Sequence, residues 1–533
     1  MASCDALARL ARNDPSLTAL DLSTRDIGDE GARELAQALQ TNNRLTQLSL
    51  HDNSIDDKGT RMLAQSLCEN NTLTHFDLRF NNLYTDGACA LAHALRNNNM
   101  LLSLILAQNS VDDEGAREMA RALRENTTLT RLDLDSNRIH NEGACELAQA
   151  LRENNTLQHL GLSCNVFDVH AVRELARALR ENHTLTRIDL AGILFDNEGA
   201  CELAQALREN NTMIQLDLGC NSIGNKGICE LAHALRENNT LQHLDLSSNK
   251  LDDQDAHELA RALRENYTLT HLDLGCGHIN NEGARELART LRQNNTLTTL
   301  IVRYNDIGDE GAHGLAQALR ENNTLTCLDL RYNDFDSEGT HELARALREN
   351  SSLARLDLQG IDIDDEDARE LAQALRENIA LSCLNLRNNC IGAEGARELA
   401  RALRENNTLS CLNLRDNRIG GKGARKLARA LRKNYKLSCL NLRNNRIDSE
   451  GARELARAMP DFAALTCLNV EDNDIDSSGT QQLIDAFEGS HALQKLVLDP
   501  WSDAQKQRLR EISQAKAPLA RAQEAGRMVK AAR

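Results

Sequence analysis

Aromatic side chains make up only 2% of the 533 residues, and there is a single tryptophan. A core for a chain of this length cannot then rest on a few large rings, and must be built from aliphatic layers. Positive charge is short as well, with 62 Lys and Arg against 79 Asp and Glu and a formal net charge of −17. A surface that follows phosphates needs an excess of Lys and Arg along one face, so nucleic acid is not an expected partner. No run of about 18 apolar residues occurs, and the opening MASCDALARLARNDPSL has no apolar stretch long enough for a signal peptide. These absences predict a soluble, cytoplasmic protein with no integral membrane segment. The fifteen cysteines are odd in number and form no CxxC pair, which favours reduced thiols. Phosphate loop, zinc motif and nucleophile elbow are all missing, so we expect no catalytic residue, no cofactor and no metal.

What is present is repetition. The segment Leu325 to Ser352, LTCLDLRYNDFDSEGTHELARALRENSS, opens with Leu328 and Leu330 two residues apart, the period of a short strand with one buried face. It continues with Leu343, Ala346 and Leu347 at helical spacing, Glu338 near the start and Arg348 near the end, a polarity that suits the helix dipole. One unit is therefore strand, turn and helix, and needs neighbours to bury its apolar face. The first leucine recurs every 28 residues from Leu17 to Leu493, with Met213 the one substitution and no insertion. That divides the chain into an N-terminal helical cap over 1–16, seventeen repeats over 17–492, and a truncated repeat, cap and basic helical tail over 493–533. The tail places Lys506, Arg508, Arg510, Lys516, Arg521, Arg527, Lys530 and Arg533 against Asp503, Glu511 and Glu524, a frayed cap helix or a docking segment. Trp501 is expected to pack over the last leucine layer.

The pattern LTRLDLDSNRIHNEGACELAQAL, Leu129 to Leu151, closely resembles the ribonuclease-inhibitor-like class of leucine-rich repeats, and the likeness covers nearly the whole chain. The resemblance implies an α/β solenoid, a horseshoe with a parallel inner sheet and outer helices. The same class occurs in ribonuclease inhibitor, in the sensor ends of NOD-like receptors, in Ran GTPase-activating proteins and in bacterial effectors delivered into host cells. The absent GxxxxGK[ST] loop argues against a nucleotide-binding module of the NOD-like kind. Spacing leads to the same shape. Strands sit roughly 4.8 Å apart and packed helices about 8 to 10 Å, so each unit wedges open by roughly 20 to 25°. Seventeen wedges sum to about 340°, which predicts a closed horseshoe or a superhelical offset.

Framework and exceptions separate by column. Asn53, Asn81, Asn109 and Asn137 begin a series kept in thirteen of seventeen units, with Arg25, Ile193, Gly277 and Ile361 as the exceptions. Its amides can satisfy backbone groups that the turning chain leaves unpaired. Gly31, Gly59, Gly87 and Gly115 mark helix entrances, and units with Ala171, Asp255 or Asp367 there should enter less tightly. Asn154, Asn210, Asn238, Asn294, Asn322 and Asn406 fall in Asn-x-Thr sequons, which we read as repeat consensus rather than sugar sites.

The residues flanking the inward leucines face the concave side. One column holds Asp245, Asp273 and Asp329 and turns to asparagine from Asn385 onward. The next holds Arg303, Arg331, Arg387, Arg415 and Arg443, with Tyr304 and Tyr332 beside it. Neither leucine layers nor helices require that basic and aromatic stripe, and both residue types concentrate in interface hot spots. A third column stacks Cys383, Cys411, Cys439 and Cys467, read as small packing residues, and carries His243 and His271 further up. The ten site candidates are thus Arg303, Tyr304, Arg331, Tyr332, Arg387, Arg415, Arg443, Asp245, Asp273 and Asp329. The expectation is a monomeric, non-enzymatic scaffold that holds a globular protein partner in its concave face. A GTPase-activating protein of the Ran type, or a bacterial effector acting on signalling in the host cytosol, are the alternatives.

Overall fold

Three-residue strands alternate with helices of ten to fourteen residues throughout the structure, a computed structural model that describes residues 2–516. The chain divides into two compact units, Met1–Leu274 and Gly275–Arg533. In the first, the described residues form ten parallel strands from Ala19–Asp21 to His271–Asp273, each paired with the next in sequence. The second holds eight, from Thr299–Ile301 to Lys495–Val497. Register follows the repeat, with Leu328 opposite Leu356 and Leu356 opposite Leu384. Each unit is a leucine-rich repeat solenoid, as the sequence predicts.

The core is leucine and alanine stacked in layers. The middle residue of each strand and the apolar stripe of each helix are buried, for example Leu328, Leu330, Leu343, Ala346 and Leu347, all 0–1% exposed. Each such leucine contributes about 2 kcal/mol through burial. Strands of three residues offer few ladder bonds, so side-chain amides complete the backbone account. Asn81 shows how. Its Nδ2 donates to the carbonyls of Leu50 in the previous coil and Leu78 in its own, both at 3.0 Å. Its Oδ1 accepts from the amides of Asn53 at 3.2 Å and Ile55 at 2.9 Å. Where Ile193 or Ile361 replaces the asparagine, an apolar side chain is buried instead, and the asparagine of the following coil still accepts from the isoleucine's own amide.

A second asparagine series closes the helices. Asn238 caps the helix Asn225–Glu237, donates to the carbonyls of Leu207 and Asn210 at 2.8 and 3.0 Å, and accepts from Thr240 and Leu241. The six sequon asparagines named above belong to it and are 3–5% exposed, so their carboxamides are structural and out of reach of a glycosyl donor.

A third device sets the helix entrances. Asp57 Oδ1 accepts from the amides of Tyr84 and Gly87 one coil later, and a Cβ on Gly87 would lie 2.7 Å from that oxygen. Glycine is therefore required by the neighbouring coil's carboxylate. Our expectation of looser entrances at Asp255 and Asp367 is corrected here. Asp252 with Asp255, and Asp364 with Asp367, form capping boxes at 3.1 Å in both directions, with Asp255 and Asp367 buried.

Trp501 also departs from expectation. It is 64% exposed and held at the edge of the last coil by its indole N–H, which donates to the Ile475 carbonyl at 2.9 Å. The last layer is covered by the helical residues 503–516, through buried Ile512 and through Gln505, whose Nε2 donates to the Ser477 carbonyl at 3.0 Å. Arg521, Glu524, Arg527, Lys530 and Arg533 of the basic tail lie outside the described residues. No helix among the described residues is long and apolar enough to cross a membrane.

Removing a buried amide leaves several backbone groups unpaired at once. Asn238→Ala is expected to lower stability by about 2–3 kcal/mol, while Asn239→Ala, at the exposed neighbour, changes it by less than about 0.5 kcal/mol. Thermal unfolding of the two variants side by side gives the comparison.

Candidate functional site

The residue before each framework asparagine is left-handed. From Thr24 to Asp472 this position has φ between 49 and 58°, apart from Gly192 at 67° and Gly360 at 68°. Backbone of this kind is costly for a bulky side chain, on the order of 1 kcal/mol. Yet Tyr304 (φ 49°) and Tyr332 (φ 52°) occupy it in successive coils. Their rings stack at 4.4 Å between centroids and 18° between planes, and Tyr304 remains 48% exposed. The Tyr332 ring lies over Gly360, where an added Cβ would come within 2.4 Å of the ring, and its hydroxyl accepts from Gln359 Nε2 at 2.7 Å. One glycine therefore makes the floor on which two tyrosines are stacked.

The arginine column stands on the same sheet face, opposite the helices, and is more heavily paired than the sequence suggested. Arg331 Nε donates to both oxygens of Asp329 at 2.9 Å, Nη2 reaches Oδ2 at 2.6 Å, and Asp357 lies 3.4 Å away. These carboxylates hold the Arg331 pKa above its ordinary value, the Asp329 hydrogen bond first among the causes. Arg387 and Arg415 share Asp416 at 2.9 and 3.2 Å, and Asn444 donates to the same carboxylate at 2.9 Å. Arg443 binds Glu471 at 2.7 Å and Asp472 at 2.5 Å. Arg303 is partly buried one coil before Arg331. Sequence reading missed Asp416 and Asp472. They sit in the left-handed column beside the arginines, and the signal was their offset from Tyr304 and Tyr332 by whole multiples of 28 residues.

Asp329, the seven arginine and tyrosine candidates and the cysteine column all belong to the unit Gly275–Arg533. In that column Cys383, Cys411, Cys439 and Cys467 are free, partly buried and on strands paired in register, so that each stands opposite the next. Asp245 and Asp273 belong to the unit Met1–Leu274. There they follow His243 and His271, whose rings stack at 3.9 Å and 15°. No group of three or more His, Cys, Asp or Glu among the described residues is arranged to hold a metal ion.

The first unit has two features of its own that the sequence left unread. Phe80, also left-handed and 45% exposed, meets His51 edge to face at 5.5 Å. Further along, Asp135 stands next to Gly161, where a Cβ would lie 2.8 Å from its carboxylate, and accepts from the Ser163 amide at 2.7 Å. Burial, with Asp133 beside it, pushes the Asp135 pKa up to about 7. Burial likewise lifts Asp217 to about 6.

Comparison with known families agrees with this architecture. A family described as Leucine Rich repeat matches residues 13–36, 69–92, 97–120, 125–148, 209–232, 237–260, 265–288, 293–316 and 433–456. A second, described as TMOD/LMOD Leucine-rich domain, matches residues 332–420. No curated protein matches the chain.

Because the Asp135 pKa is raised in the folded state, ionising it opposes folding. Stability is lost as pH rises through the interval from the ordinary carboxylate range to about 7, and regained below it. Asp135→Asn keeps an oxygen for the Ser163 amide and removes the charge. Its gain in melting temperature over the parent is expected to be larger at pH 8 than at pH 5, as scanning calorimetry at the two pH values will show.

Proposed function

Because the chain belongs to the leucine-rich repeat proteins, we propose that it is a protein-interaction scaffold, and that the sheet face of its C-terminal unit takes a globular protein partner without catalysing a reaction. The stacked pair Tyr304 and Tyr332 supports this reading most directly. Both tyrosines sit in left-handed backbone that glycine, asparagine or aspartate would occupy at less cost, and neither fills the leucine core. Large, pre-stacked rings with polar tips give contact area for little further loss of side-chain freedom.

The arginines extend that surface. Arg331, Arg387, Arg415 and Arg443 are held by carboxylates on the same face, and their side chains remain 30–36% exposed. A partner meets guanidinium groups already oriented, which reduces the ordering that binding requires. Arg303 and Asp329 complete this surface on the N-terminal side of the same unit. Asp245 and Asp273, with their histidine pair, offer the first unit a separate polar patch for the same kind of contact.

Alanine at Arg331, Tyr332, Arg387 and Arg415 together is expected to weaken partner capture by about 30-fold or more, with the melting temperature within a few degrees of the parent. Affinity capture from cytosol, quantified for parent and variant, is the measurement. Undiminished capture by the variant removes this face from consideration.

A further inference from the structure

On the helix side, the coils are tied by a lattice of arginine and glutamate. From Glu118 to Glu398 every coil carries a glutamate at the same helical position, except one that has Gly314. Nine of these glutamates form an ion pair with an arginine of the preceding helix, as in Arg96–Glu118 at 2.9 Å, Arg208–Glu230 at 2.7 Å and Arg320–Glu342 at 3.3 Å, and Glu286 pairs with Arg289 of its own helix. Glu202 shows the fullest form. It lies 3.1 Å from Arg173 and 3.7 Å from Arg180, one carboxylate between two guanidinium groups.

Four coils later the equivalents of Arg173 and Arg180 are Arg285 and Arg292, and the carboxylate between them is replaced by the hydrogen of Gly314. Arg285 keeps Glu310 at 2.8 Å, the counterpart of the Arg173–Glu198 pair. Arg292 turns to a neutral acceptor, Gln317 Oε1 at 2.6 Å, with Glu321 at 3.6 Å. Its side chain is 32% exposed, against 30% for Arg152 and 28% for Arg320, so it is held in place as they are. The missing side chain opens a cavity of about 540 Å³ lined by Arg285, Arg289, Arg292, His313 and Gln317, lying over Gly314.

We propose that this cavity is a carboxylate-binding site, in which Arg285 and Arg292 take the carboxylate of an incoming ligand where the neighbouring coils supply their own glutamate. In the filled coil one carboxylate, that of Glu202, is shared by Arg173 and Arg180, and charge-assisted contacts between guanidinium and carboxylate are among the stronger ones arginine makes. Asp309, Glu310 and Glu338 also line the cavity, Glu310 as the partner of Arg285. They repel surfaces of dense negative charge and admit a single acid group. The carboxylate can come from a free dicarboxylic acid or from an acidic side chain of a polypeptide.

Isothermal titration of the full chain with glutarate, with an acetylated and amidated Gly-Glu-Gly peptide, and with inorganic phosphate separates these sources. The expected result is saturable binding of glutarate or the peptide in the millimolar range or tighter. Gly314→Glu, which restores the lattice residue, and Arg292→Gln should each weaken it about tenfold or more. Binding of the peptide alone assigns the site to protein ligands, and binding of glutarate assigns it to small acids. The proposal is overturned if neither probe binds, if phosphate binds more tightly than both, or if binding survives unchanged in Gly314→Glu and Arg292→Gln. Arg292→Gln leaves the backbone and Gly314 untouched, so it reads the site even where Gly314→Glu perturbs folding.

Discussion

The carboxamide of asparagine, donating backward and accepting from its own coil and the coil before, is the interaction on which the architecture rests. Leucine burial supplies most of the driving force, but burial is non-directional and would tolerate many stackings. Asn81 and Asn238 are directional. Each reaches carbonyls of the preceding coil while its oxygen collects amides that three-residue strands and helix ends leave over. With one such residue at the strand exit and another at the helix end, successive coils are joined at two points, and the leucine layers come into register.

Much of this was legible in the residues. A strict 28-residue step, apolar spacings of two and then three or four, and the Asn53 series were enough to derive strand, turn, helix and stacking. The second asparagine series was present in the same sequence but was read through its sequons, which describe a modification rather than a hydrogen-bond account. The left-handed column was missed because its occupants range from Thr24 and Asp52 to Phe80 and Tyr304, with glycine at only two positions. Residue identity gives no sign of φ when the rest of the coil imposes it. Asp416 and Asp472 escaped for a related reason: strand alternation predicts neighbours along a straight strand, and these two lie just beyond it, where the chain turns.

The two faces of the solenoid use charge differently. On the helix side, arginines and glutamates alternate from coil to coil, and each exposed pair is worth only about 0.2–1 kcal/mol. The regularity of that lattice is what makes a single missing carboxylate, at Gly314, conspicuous. On the sheet side the pattern is irregular. Acidic residues around Asp135 and Asp217 occupy the first unit, while tyrosine, arginine and asparagine occupy the second. Irregularity there is cheap for folding, because the leucines between do the stacking, and the open face can diverge from coil to coil without disturbing the core.

The backward reach of the asparagines also governs how such a chain can change length. Asn81 contacts residues 31 and 28 positions earlier, and Asn238 does the same. Deleting or duplicating a whole coil leaves every one of these offsets intact, since the new neighbour presents the same carbonyls at the same separation. Adding a single residue within a coil shifts all of them at that joint. Growth of the protein is therefore quantised in steps of one coil, and its size is a property that gene duplication can adjust while the hydrogen bonding of each joint stays the same.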